Sequence, residues 1–96
     1  MTDARNEYIS KAKRSLDRLD ARIIELETKT SEKRGDVRRE LKDKLENIRD
    51  SRTRLEHRIE ELQNARKPAW EDVKLGVEQA WNSLSDAVDR AAERFQ

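Results

Sequence analysis

His57, with Glu60 and Glu61 three and four residues beyond it, is the one place where this sequence sets an imidazole within helical reach of carboxylates. Such a grouping could ligate a divalent metal or pass a proton. A metal site would need further nitrogen or sulfur ligands, and the chain has one histidine and no cysteine. His57 also lies two positions from both Leu55 and Ile59, so on a helix it points away from that apolar stripe toward solvent. The paired acids Glu60/Glu61 and Glu71/Asp72 are sequence neighbours, which do not face one another across a cleft as general acid–base chemistry requires. There is no glycine-rich phosphate loop and no serine nucleophile elbow. The expectation is a protein that is not an enzyme, with no cofactor, no metal and no small-molecule substrate.

Three other features call for a chemical reading. Arg52 falls in an otherwise apolar stripe between Ile48 and Leu55. Either its aliphatic stem packs in the seam while the guanidinium reaches an acid at the edge, or it is a polar core residue that sets register and oligomeric state. The twenty-residue stretch "ARKPAWEDVKLGVEQAWNSL" from Ala65 to Leu84 holds both tryptophans, the only proline and the second of two glycines. At 100° per residue it presents two unlike edges, Trp70, Trp81 and Val88 on one, and Gly76, Ala80, Ser83, Ala87 and Ala91 on the other. With Phe95 these residues form either the core packing of a third helix or a seam for self-association or a partner helix. Trp70, at an open end, is the most exposed and the most adhesive of them.

These residues require helices to position them. Gly35 and Pro68 punctuate the chain and divide it into three helices, about 3–34, 36–66 and 68–95, in a single helical domain. Thr2 and Asp3 are capping candidates for the first, and "KRG" closes it with basic residues followed by glycine at the left-handed stop position. Pro68 suits the first position of the third helix, with Glu71 and Asp72 near its positive dipole end. Acids precede bases by four residues at Glu7/Lys11, Glu25/Lys29, Glu40/Lys44, Asp50/Arg54 and Asp86/Arg90, each worth about 0.3 kcal/mol of helix support.

Apolar residues recur every three or four positions in all three segments. They are Ile9, Ala12, Leu16, Leu19, Ile23 and Leu26, then Leu41, Leu45, Ile48, Leu55, Ile59 and Leu62, then Val73, Val77, Trp81, Leu84, Val88, Ala91 and Phe95. Val37 extends the middle stripe by an extra four-residue step, a stutter that relaxes the supercoil. Antiparallel neighbours joined by a short loop pair residues whose numbers have a constant sum, and the stripes satisfy this. Leu26/Leu41/Phe95, Leu19/Ile48/Val88, Leu16/Arg52/Leu84 and Ala12/Leu55/Trp81 become layers. The fold class is all-α, an antiparallel three-helix coiled-coil bundle.

The same pairing has two realisations. The chain can close on itself at Gly35, or it can run as one long continuous N-terminal helix and swap helices with a second copy, forming a rod on the order of 100 Å. The nine residues from Thr28 to Asp36 carry no large apolar side chain, which favours a loop, while glycine inside a helix costs only about 1 kcal/mol. Gly35 is therefore a candidate hinge.

Composition limits the remaining options. The chain has 96 residues, 45% of them charged and 33% hydrophobic, too little apolar material for a roomy pocket. Balanced charge, 22 bases against 21 acids, argues against disorder driven by composition. Residues 1–67 carry 19 bases and 15 acids, and residues 68–96 carry 3 and 6, so the third helix is attracted to the other two. That distribution offers no concentrated nucleic-acid patch. Apolar runs never exceed two residues and no basic-then-apolar leader opens the chain, so the protein is expected to be soluble and cytoplasmic, without integral membrane association.

The stretch "AWEDVKLGVEQAWNSLSDAVDRAAERF", Ala69 to Phe95, resembles the C-terminal signature of a family of small bacterial coiled-coil stress-response proteins first noticed in cyanobacteria. The preceding "LDRLDARIIELETKT" is similar in style and far less specific. Gly35 departs from the pattern, which implies a helix former such as alanine there. The resemblance implies a cytoplasmic protein without catalytic activity, linked to salt or other stress, and transfers no catalytic or ligand residues. Function is then expected through self-association, as a homodimer, or through another helical protein. The alternative is a lipid-surface or chaperone-like protein whose third helix detaches to lay Trp70, Trp81 and Phe95 on an apolar surface.

Overall fold

The computed structural model describes residues 2–95, with side chains from Ala4 onward. Three helices, α1 (Thr2–Ser31), α2 (Gly35–Asn64) and α3 (Lys67–Glu93), form an up-down-up bundle closed within one chain. Its Cα envelope of 52 × 17 × 17 Å matches helices of 30 residues, each about 45 Å long. None of the helices is long and apolar enough to cross a membrane.

The three-and-four spacing becomes the core directly. Ile9, Leu16, Leu19, Ile23 and Leu26 from α1, Leu45, Ile48, Leu55, Ile59 and Leu62 from α2, and Val77, Leu84, Val88 and Ala91 from α3 form one continuous buried cluster. Leu41 is also buried but stands apart from it, near the hairpin. The stripe residues Ala12, Val73, Trp81 and Phe95 pack against the cluster only half-buried. Packing is heaviest between α2 and α3, lighter between α1 and α2 and sparsest between α1 and α3. The third face of the bundle is thus the least closed.

The helix ends differ from expectation, α2 stopping at Asn64 rather than 66 and α3 at Glu93 rather than 95. α1 stops at Ser31 rather than Arg34, with its last carbonyls at Lys29 and Thr30 accepting from the amides of Glu32 and Lys33. Gly35 does adopt the left-handed conformation, at φ 65°, but it opens α2 instead of ending α1. Val37 is level with Thr30 of α1 but lies beyond the end of α3, and it is 48% exposed rather than part of the seam. α3 begins at Lys67, which puts Pro68 in its first turn and leaves Glu71 and Asp72 beyond the first turn, where the dipole benefit has faded. The capping expectation at Thr2 and Asp3 lies outside the described side chains.

Polar groups tie the helices from outside the core. Arg22 of α1 meets Asp89 of α3 at 2.7 Å, and Arg94, just past α3, meets Glu40 of α2 at 2.9 Å. Both join the acidic third helix or its end to the rest of the bundle. Of the four-residue pairs, Glu25/Lys29 and Glu40/Lys44 close, at 3.4 and 3.6 Å. At this exposure each contributes less than about 1 kcal/mol, so the buried cluster carries the stability.

Candidate functional site

The sparsely packed face between α1 and α3 contains an apolar groove of about 390 Å³. Its floor is Ala12, Leu55, Ile59 and Val77, its walls are Tyr8 and Trp81, and its rim carries Lys11, Ser15, Glu78 and Asn82. The layer that the spacing assigned to Ala12, Leu55 and Trp81 is assembled here. Its small member leaves a gap, because one methyl group opposite an indole cannot bring α1 and α3 together at this level. Trp81 therefore stays half-exposed, neither sealed in the core nor free on the surface.

Trp70 is placed differently from the exposed, adhesive position expected of it. It is half-buried and packs on the core, because a cluster missed at the level of sequence covers it. The Tyr8 ring meets it edge-on at 5.8 Å with 71° between planes. Arg5 and Lys74 stand 5.3 and 5.4 Å from its ring centre, and Lys74 also lies 5.0 Å from the Tyr8 ring. Positive charge over a ring face is attracted to its quadrupole. Arg5 also donates to the Ala65 carbonyl at 2.6 Å, which ties the start of α1 to the α2–α3 turn. The Tyr8 hydroxyl donates to Glu78 at 3.3 Å, and burial, with the Glu78 charge added, pushes the phenol above its ordinary value. The Trp70 Nε1 is buried without a hydrogen-bond partner.

Arg52 keeps its stem in the seam, its side chain 23% exposed, and its guanidinium spans two acids. Nε and Nη2 donate to the two carboxylate oxygens of Asp20, both at 2.8 Å, and Nη1 meets Glu56 at 2.9 Å. The forked contact raises the guanidinium above its ordinary value and keeps it charged. Nearby, Arg49 grips Glu27 through both nitrogens, Nε at 2.7 Å, and holds that carboxyl below the usual range. This is the geometry of a packed stem with a satisfied head.

The small edge of α3 does not act as a close-approach strip throughout. A side chain at Gly76 would meet only the flexible Arg58, at 3.8 Å, so the backbone there is not pressed against a neighbour. Ala80 and Ala87 are half-buried against the core and Ala91 is within it, while Ser83 is exposed. Phe95 shares a shallow cleft with Leu26, and Lys33 stands 5.7 Å from its ring centre. His57, Glu60 and Glu61 are exposed on α2, and no three His, Asp or Glu side chains among the described residues converge as metal ligands would.

The chain matches no family model, no curated protein and no solved structure.

Proposed function

We propose that this chain is a non-enzymatic coiled-coil interaction protein, cytoplasmic and stress-associated, that receives an amphipathic helix in the α1–α3 groove. The helix comes from a protein partner or from another copy. The carrying observation is the groove itself, a mainly apolar cleft between α1 and α3 that includes the half-exposed Trp81. A fourth helix laid there would cover the face on which the helices are packed least closely. The cytoplasmic setting and the stress connection rest on the resemblance carried by Ala69 to Phe95.

The lipid-surface alternative draws less support. It requires α3 to leave the bundle, yet α3 is packed on α2 more heavily than any other pair of helices is packed together. Both tryptophans would have to abandon contacts with the core.

A photo-crosslinking residue placed at Asn82, on the groove rim, and separately at His57, on the exposed face of α2, tests the proposal in cells. Adducts to helical segments from position 82 and none from position 57 are expected. Equal yields from the two positions, or none from position 82, would overturn it.

A further inference from the structure

The hairpin end of the bundle is open to solvent. Every residue from Ser31 to Glu40 is exposed, and Gly35 has no neighbouring atom within 4 Å of where a side chain would begin. α1 is also the helix held least, since its contacts to α2 and α3 are both sparser than those between α2 and α3. Removing α1 therefore leaves the better-packed hairpin behind.

Continuity of the apolar stripe supplies the second observation. If residues 32–34 become helical, Leu26, Thr30, Val37 and Leu41 follow one another at steps of four, seven and four on one face. Thr30 is buried in the closed bundle, whereas Val37, on the same stripe, is one of three large apolar side chains left exposed. A continuous helix keeps Val37 on that stripe, level with Thr30 of the partner subunit.

We infer that residues 32–35 form a hinge through which two copies of this chain exchange α1. In the exchanged dimer α1 and α2 fuse into one helix, and each end of the rod is a three-helix bundle completed by α1 of the partner subunit. Every contact between helices is remade in kind, so the hinge alone sets the balance at a given concentration. Opening places Gly35 inside a helix, where glycine is disfavoured, and adds helical turns. It also sets Lys33 and Arg34 against Arg34 and Lys33 of the partner subunit at the centre of the rod. Glu32 and Asp36 flank that centre and offset only part of the repulsion. The exchange is accordingly gated by ionic strength, since screening shortens to about 3 Å at 1 M salt from more than 10 Å below 0.1 M.

This inference does not rest on the groove proposed above, and its test separates the two. Light scattering and small-angle X-ray scattering are run on the full chain, wild type and Gly35→Ala, across protein and salt concentration. Alanine is about fivefold better than glycine per helical position, and a dimer has two hinges, so association should tighten at least about 25-fold. The dimer should reach on the order of 100 Å in length. It should grow with salt in the wild type and less so in Lys33→Gln/Arg34→Gln. It should also survive Ala12→Leu, which narrows the groove. A Gly35→Ala chain that stays monomeric, or a dimer no longer than the 52 Å closed bundle, would overturn the exchange. Dimerisation indifferent to salt would overturn its gating.

Discussion

Replacing Ala12 with leucine puts the openness of the α1–α3 face to the test. The substitution adds three carbons at the floor of a groove whose volume, about 390 Å³, accepts them without displacing a neighbour. Three buried methylene-sized groups would be worth about 2.4 kcal/mol if sealed from water. The groove is open along its length, so roughly half of that is realised, and ordering the leucine costs about 0.5–1 kcal/mol. The net expectation is a stabilisation between zero and about 1 kcal/mol, equivalent to at most about 4–8 °C in Tm for a domain of this size. A sealed site would behave oppositely, since overpacking a close-packed core costs about 1–3 kcal/mol. Urea unfolding followed by far-ultraviolet circular dichroism measures the difference, with an unchanged denaturant slope confirming that stability and not compactness has moved. In a Trp70→Phe background, emission from Trp81 should shift to the blue as leucine excludes water. A loss of more than 1 kcal/mol, or unmoved emission, would refute the groove.

Trp70→Phe should itself change stability by less than about 1 kcal/mol, because the lost ring area is balanced by removal of the buried, unpaired Nε1; a loss above 2 kcal/mol in the same urea experiment would show that the indole has a partner. Arg52→Leu should also fall within about 1 kcal/mol of wild type, since a pair exposed to this degree is worth little more than the leucine packing that replaces it. Its association state in sedimentation should not change, and a change would restore Arg52 as a determinant of oligomeric state. Glu27→Gln bears on pH. The Glu27 carboxyl is held below its ordinary value of 4.5 in the folded chain, so its stabilising effect is present above that value and is lost as pH falls through the folded value. The gap between wild type and Glu27→Gln, less than about 1 kcal/mol for so exposed a pair, should therefore close below pH 4.5, and a gap persisting to pH 2 would assign the stabilisation to packing.

Much of the architecture was legible because helix packing needs only period and polarity. The recurrence from Ile9 to Leu26 and from Leu41 to Leu62 named every buried residue of α1 and α2 except Thr30, which satisfies its hydroxyl on the Leu26 carbonyl at 2.7 Å. Pairing by constant sum also put Ala12, Leu55 and Trp81 in one layer. That this layer stands open was not legible, since numbering gives level and not distance between helices. The Tyr8–Trp70 cluster escaped for a different reason. α1 and α3 run parallel, so their partners share a constant difference of 68 or 69, which sets Tyr8 level with Gly76 and Val77, between Lys74 and Glu78, whereas Trp70 reaches it from nearly two turns away. Val37 was misplaced because periodicity does not know where the opposite helix ends.

The proposed action of the chain through its least closed face is open to a test in cells. The most direct measurement is the yield of photo-crosslinked adducts from position 82 in cells, compared between the wild-type background and Ala12→Leu. Leucine narrows the groove at its floor without disturbing the buried core, so adducts from position 82 should be abundant in the wild type and reduced in the variant. Equal yields from the two backgrounds would contradict it.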